Sequence, residues 1–211
     1  MLSLIMKFPI TTTIRYCRNI ARGILSAVKE KKINLLIMGW HGRPRSSVFR
    51  LGSTIDYIME RAHSNVLVLK GCGYQSYPRI LVPVAGGPNS AFALETASIL
   101  AEKDDSKITA FIVNPNQDNV DIRDLPEFHK NYRQINFGRI HTKCIQAPDI
   151  SEAILKESRN HDLVILGATR DPLLRQVTRE SVSHTVAKKC EKPLIMAKAP
   201  TKIRSWLSRW I

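Results

Sequence analysis

Acidic residues are scarce in this 211-residue chain, where 18 Asp and Glu face 32 Lys and Arg for a formal net charge of +14. So basic a surface attracts nucleic acid, anionic lipid or acidic protein at long range without choosing among them. No RNA-binding signature or helix-turn-helix pattern accompanies the charge, so nucleic acid is not the expected partner. Long apolar runs are also missing: no stretch approaches the roughly 18 apolar residues that a membrane span needs. The chain is not expected to cross a bilayer by itself. Cysteine is limited to Cys17, Cys72, Cys144 and Cys190, with no C-x-x-C or zinc spacing. Three of these fall in strand-like or helix-like segments, where free thiols are usually buried, and a reducing, cytoplasmic setting is expected. The start, Met1 to Met6, lacks a charged leader and a small-residue cleavage site and does not read as a signal peptide. His63, His129, His141, His161 and His184 are scattered without ligand spacing, and no acid, base and nucleophile fall at a triad spacing. Neither a metal centre nor an enzyme is expected.

What the chain does have is a glycine loop. Gly39-Trp40-His41-Gly42, nine residues, then Gly52-Ser53-Thr54 lies between an apolar strand-like run, Leu35 to Met38, and a helix-like segment carrying Ile55, Ile58 and Met59. Gly39 and Gly42 let the backbone turn tightly and approach an anion, while Gly52 and Ser53 open a helix whose free N–H groups favour phosphate. The alternative is a tight strand-to-helix turn and nothing more. Arg43, Arg45 and Arg50 stand around this loop, where they can gather phosphate. Trp40 and His41 fall inside the loop, Trp40 reading as a packing or dimer-contact residue rather than an adenine stacker, and His41 as a solvated side chain.

The pattern occurs twice. Leu163 to Gly167 and Glu191 to Met196 follow Leu35 to Gly39 and His63 to Val68 at an offset of about 128 residues. Residues 79–199 read as a complete unit: strands 80–84, 107–113, 140–146, 163–166 and 194–197, alternating with helices 90–101, 125–133, 151–159 and 181–189. Strands alternating with helices indicate parallel βαβ units and a doubly wound α/β sheet, with ligands beyond the carboxyl ends of the strands. Residues 1–71 supply only a strand at 12–16, a helix at 18–31, a strand at 35–38, a helix at 53–62 and a strand at 66–69. Repeat one therefore lacks its first two strands and helices, which exposes strand edges and apolar faces unless another chain or the second repeat covers them. Residues 72–78 form the linker.

The spacing Gly-x-x-Gly, nine residues, Gly-Ser/Thr resembles the nucleotide-binding signature of the universal stress proteins, and the flanking strands resemble that family too. The resemblance implies a Rossmann-like sheet of strand order 3-2-1-4-5, ATP or AMP as the ligand of Gly39, Gly42, Gly52, Ser53 and Thr54, no metal beyond the magnesium of a bound nucleotide, and no catalytic residue. It also implies that repeat one has lost its central strands, including the adenine side, and that the last strands of the two repeats pair across a dyad-like interface. In repeat two, Leu81 to Gly87 resembles the family's Val-Pro-x-Asp-Gly-Ser, but Ala85 stands at the aspartate position. Arg170 stands where Gly42 does, and Glu180 replaces Gly52, placing a carboxylate against phosphate. Repeat two is thus expected to keep the fold without the site.

After Pro200, residues Ile203, Trp206, Leu207, Trp210 and Ile211 fall on one helical face, with Lys202, Arg204 and Arg209 elsewhere. This 200–211 basic amphipathic helix can lie on an anionic membrane surface or dock on an apolar patch of its own chain. Tail, loop and paired repeats together resemble the cytoplasmic tail of bacterial amino-acid permeases that carry tandem universal-stress domains. A stress-responsive regulatory module follows, acting as a homo-oligomer or beside an amino-acid or ion transporter, in the cytoplasm or at the inner face of the membrane.

Overall fold

The computed structural model describes residues 9–40, 53–73, 75–113, 121–124, 135–168 and 181–200. In chain order these are α1 (Ile20–Glu30), β1 (Leu35–Trp40), α2 (Ser53–Arg61), β2 (Asn65–Lys70), β3 (Arg79–Pro83), α3 (Gly87–Asp104), β4 (Lys107–Val113), β5 (Ile140–Ile145), α4 (Ile150–Ser158), β6 (Leu163–Gly167), α5 (Val182–Lys189) and β7 (Leu194–Lys198). Short 3-10 turns at Ile122–Asp124 and Phe137–Arg139 complete the described elements. The helix expected at 125–133, the loop residues 41–52 with Gly42, Gly52 and the three arginines, the repeat-two positions Arg170 and Glu180, and the tail 201–211 lie outside the described residues.

All seven strands join one sheet of order β1-β2-β7-β6-β3-β4-β5. Strands β3 to β7 on their own run β5-β4-β3-β6-β7, which is the doubly wound order 3-2-1-4-5, every pair parallel. The first pair, β1 and β2, is also parallel, and β2 joins β7 antiparallel. The seam is centred on Val68 opposite Met196, with Val66 opposite Lys198 and Lys70 opposite Leu194. Each residue thereby faces the neighbourhood of its own counterpart 128 positions away, so the two halves meet about a local two-fold axis through the Val68–Met196 pair.

The strands are short, Val-, Ile- and Leu-rich runs, which suits a sheet covered on both faces. On one face α1, α2, α4 and α5 cover Val66, Val68, Leu81, Phe111, Val164, Leu166, Leu194 and Met196, and Leu36, Met38 and Trp40 of β1 pack there as well. On the other face α3 lies over Ile80, Val82, Leu163, Ile165, Ile195 and Ala197. Three helices have their starts fixed by the N-cap residues favoured there: Asn19, Asp149 and Ser181 accept from the backbone N–H groups of Arg22, Glu152 and His184.

Several expectations change. The strand read at 12–16 does not form: residues 9–17 are exposed and without regular structure, Ile14 at 82% and Tyr16 at 100% exposure. Its alternation fits a strand, but no described strand pairs with it, and an extended segment gains nothing without a ladder partner. Trp40 is the last residue of β1 rather than a loop residue. Of the cysteines only Cys190 is buried; Cys17 is exposed, and Cys72 and Cys144 are partly covered.

Candidate functional site

In a doubly wound sheet the ligand crevice opens where neighbouring connections diverge, here beyond the carboxyl ends of β3 and β6. In repeat two, hydrogen bonds among the described residues tie these strand ends to the starts of the neighbouring helices. The Asn89 side-chain amide donates to Ala168 O at 2.6 Å, while the backbone N–H of Ala199 donates to Asn89 Oδ1 at 2.9 Å. The start of α3 is thereby tied to the ends of β6 and β7 together. The Ser183 hydroxyl donates to Gly167 O at 3.1 Å and fixes α5 to the same strand end. A Cβ on Gly167 would lie 2.9 Å from Asn89 C and Ser90 N, so the glycine is there because helix α3 begins directly on it. Ala85, at the position of the family's aspartate, is exposed and carries no carboxylate.

Repeat one is the reverse. Gly39 is the counterpart of Gly167, yet a Cβ there would meet none of the described residues within 4 Å. Among the described residues, no helix presses on β1 as α3 presses on Gly167. Ser53 and Thr54 form the first turn of α2, and because α2 returns antiparallel to the strands, that turn lies at the same end of the sheet as the carboxyl end of β1. The described residues thus bring Gly39, Ser53 and Thr54 to one end of β1, which is the edge strand of the sheet. No group of His, Cys, Asp and Glu able to hold a metal occurs among the described residues.

Sequence reasoning missed three polar features. Lys70 Nζ donates to Ala187 O at 2.7 Å and Cys190 O at 2.8 Å, at the end of α5. Reciprocally, Lys198 Nζ donates to Ala62 O at the end of α2. Lys70 and Lys198 are 128 residues apart, as are Ala62 and Cys190, so each repeat's last strand supplies an ammonium to the negative carbonyl end of the other repeat's helix. Burial pulls both lysines below the ordinary range. Lys70 Nζ also stands 5.3 Å from the Trp40 ring centroid, so Trp40 is a packing and cation–π partner. The second feature is Asp56, buried on α2, with Oδ1 3.9 Å from His184 Nε2 on α5, again a pair at the 128-residue offset. The repeated lysine was visible in the sequence, but only the antiparallel seam makes it reciprocal. The third is a cavity of about 470 Å³ lined by Arg15, Tyr16, Arg18 and Arg22 where residues 15–19 meet α1.

The comparisons with known proteins fall on this arrangement. Residues 4–70 match the universal stress protein family. The universal-stress fold extends over the rest of the sheet: a universal stress protein from Archaeoglobus fulgidus DSM 4304 superimposes with a TM-score of 0.62 at 17% identity over 85% of this chain and 65% of its own. A protein of unknown function from Pseudomonas aeruginosa PAO1 gives 0.63 at 12% identity, covering 94% of this chain and 75% of its own. A universal stress protein solved in complex with cAMP covers 59% of this chain and 99% of its own, at a TM-score of 0.50 and 16% identity. Among curated proteins, the Na(+)/H(+) antiporter NhaS5 of Synechocystis is 28% identical over 192 residues, covering 80% of this chain. This chain spans 27% of that antiporter's length. No helix among the described residues is long and apolar enough to cross a membrane.

Proposed function

We propose that this chain is a universal-stress-like regulatory module that acts on a membrane ion transporter through protein contacts. The observation that supports the reading is the position of β1 at the sheet edge, beside a second repeat whose described strand ends bond to its own helix starts. The likeness to a Na(+)/H(+) antiporter supports a transporter as the partner. The basic charge, concentrated in residues 1–71 with twelve Lys and Arg against three Asp and Glu, suits contact with an acidic protein face or the anionic inner surface of a membrane. The test is sodium-driven proton exchange in proteoliposomes holding an antiporter of this kind without its own soluble tail. Adding the purified chain shifts the pH or Na⁺ dependence of exchange; an unchanged profile at saturating protein refutes the proposal.

A second reading is nucleotide response through Gly39, Gly42, Gly52, Ser53 and Thr54. It is favoured by the open space at Gly39 and by the cAMP held by one fold neighbour. Calorimetry with ATP and AMP, against the double variant Gly42→Arg/Gly52→Glu that copies repeat two into repeat one, decides it. Binding by the unmodified chain alone supports a phosphate site; binding by neither leaves the loop as a turn.

A further inference from the structure

The basic half of the chain has more cations than its carboxylates can answer. Residues 1–71 hold twelve Lys and Arg but only three acids, Glu30, Asp56 and Glu60. Glu30 pairs with Arg15 and Glu60 with Arg61, while Asp56 is buried on α2 with His184 beside it. Arg18 and Arg22 have no ion-pair partner among the described residues, yet both line the cavity of about 470 Å³ at the start of α1, with Arg15 as a third guanidinium and no carboxylate in the lining. The local sequence builds this cavity. Asn19 caps α1, its side chain accepting from the N–H of Arg22, so Arg18 and Arg22 flank the cap. A Cβ on Gly23 would lie 2.6 Å from Cys17 Sγ, so glycine is what lets Cys17 lie against the first turns of the helix. Guanidinium groups gathered around one cavity repel one another, a cost that a bound anion removes.

We propose that this cavity binds a phosphate-bearing molecule, with Arg18 and Arg22 holding the phosphate and Arg15, anchored by Glu30, forming the wall beside them. The site uses none of the glycine-loop residues and needs no transporter, so it stands apart from both readings of the function. A guanidinium keeps its charge at every working pH and offers two parallel N–H bonds to phosphate oxygens, which makes a pair of unpartnered arginines a better match for phosphate than for a weaker acceptor. The volume lies within the range of about 300–1,000 Å³ usual for small-molecule pockets and exceeds what a bare phosphate ion fills. An organic body therefore accompanies the phosphate. Tyr16 and Ser26, in the same lining, bring hydroxyls that donate to and accept from a polyhydroxylated body such as a sugar or a glycerol headgroup. The phosphate chemistry is the same whether the group belongs to a free sugar phosphate or to a lipid headgroup. Cys17 lines the cavity as well and is exposed, so an occupant shields its thiol.

The test follows binding of fructose 1,6-bisphosphate to the full chain by calorimetry at low salt, together with alkylation of Cys17 by iodoacetamide read by mass spectrometry. The bisphosphate is expected to bind and to slow alkylation of Cys17 several-fold while leaving Cys144 unchanged. Arg18→Gln/Arg22→Gln is expected to weaken binding by about tenfold or more, since each charge-assisted bond lost is worth about that factor. The glycine-loop variant Gly42→Arg/Gly52→Glu is expected to bind as the unmodified chain does. Gly23→Ala leaves every charge in place and a good helix former in α1, but displaces Cys17, and is expected to lose binding without a lowered unfolding midpoint. Shielding of Cys17 by phosphatidylglycerol vesicles alone, lost in Arg18→Gln/Arg22→Gln, keeps the site and assigns its phosphate to a lipid headgroup. Cys17 unshielded by both bisphosphate and vesicles overturns the proposal. So does binding that survives Arg18→Gln/Arg22→Gln, or that disappears in the glycine-loop variant, which marks the loop as its seat.

Discussion

Gly39 and Gly167 occupy equivalent places on β1 and β6, and the same substitution at each should act in opposite directions. At Gly167 a methyl group would sit 2.9 Å from two backbone atoms of Asn89 and Ser90 and 3.0 Å from a third. Backbone cannot swing aside as a flexible side chain does, so α3 must shift against a core in which Leu94, Ala97 and Ala101 are fully buried. Overpacking of this kind costs about 1–3 kcal/mol. At Gly39 the methyl meets no described residue within 4 Å, and replacing glycine in a strand removes unfolded-state freedom, a gain of about 0.5–1 kcal/mol. Gly167→Ala and Gly39→Ala should therefore differ by roughly 2 kcal/mol or more, about a 30-fold ratio in the unfolding equilibrium. Urea unfolding followed by circular dichroism, without nucleotide present, reads this directly. Equal losses in the two variants, or a loss above about 1 kcal/mol for Gly39→Ala, would mean that the space beside β1 is filled and that the account of the missing helix is wrong.

Lys198→Met keeps the apolar stem but removes the donor to Ala62 O, leaving a helix-end carbonyl unpaired at the seam; a loss of about 1–3 kcal/mol is expected in the same urea experiment, and a smaller one for the more exposed Lys70. Asp162 accepts from the guanidinium of Arg79 at 2.8 and 3.0 Å and from its backbone N–H at 3.0 Å, and these bonds hold its carboxyl below the ordinary 3.8. Because the folded value is depressed, the contribution is fully present above that pH and is lost as pH falls through the folded value. With Arg79 exposed, solvent screens the pair and the contribution is small. Asp162→Asn should remove it at neutral pH and flatten the stability profile below 3.8, as measured by urea midpoints between neutral and strongly acid pH.

The sheet was legible because its strands are uninterrupted apolar runs separated by capped helices, and because Leu35 to Gly39 and Leu163 to Gly167 spell nearly the same string. The antiparallel seam of β2 with β7 followed from the family resemblance. Thr12 to Tyr16 misled because alternation records a strand's need for a partner and cannot say whether the partner exists. The site was less legible. Gly39 and Gly167 look alike in sequence, yet one lies under a helix and the other has no described residue within 4 Å, a difference carried by residues far away in the chain. Trp40 read as a loop residue because glycines bracket it, while its ring is held by Lys70, thirty residues on. Asn89, whose amide closes the repeat-two crevice, sits in no motif at all.

The seam between β2 and β7 has a consequence for assembly. Because every contact across its axis joins a residue to the surroundings of its own counterpart, the first half of one molecule meets the second half of another with the same strands, the same lysines and the same helix ends as it meets its own. A closed single chain and a pair that has exchanged halves are therefore equal in contacts, and only the segment joining β2 to β3, residues 71–78, separates them by the freedom it loses in each. Shortening or stiffening that connection would convert one form into the other without altering a residue of the sheet.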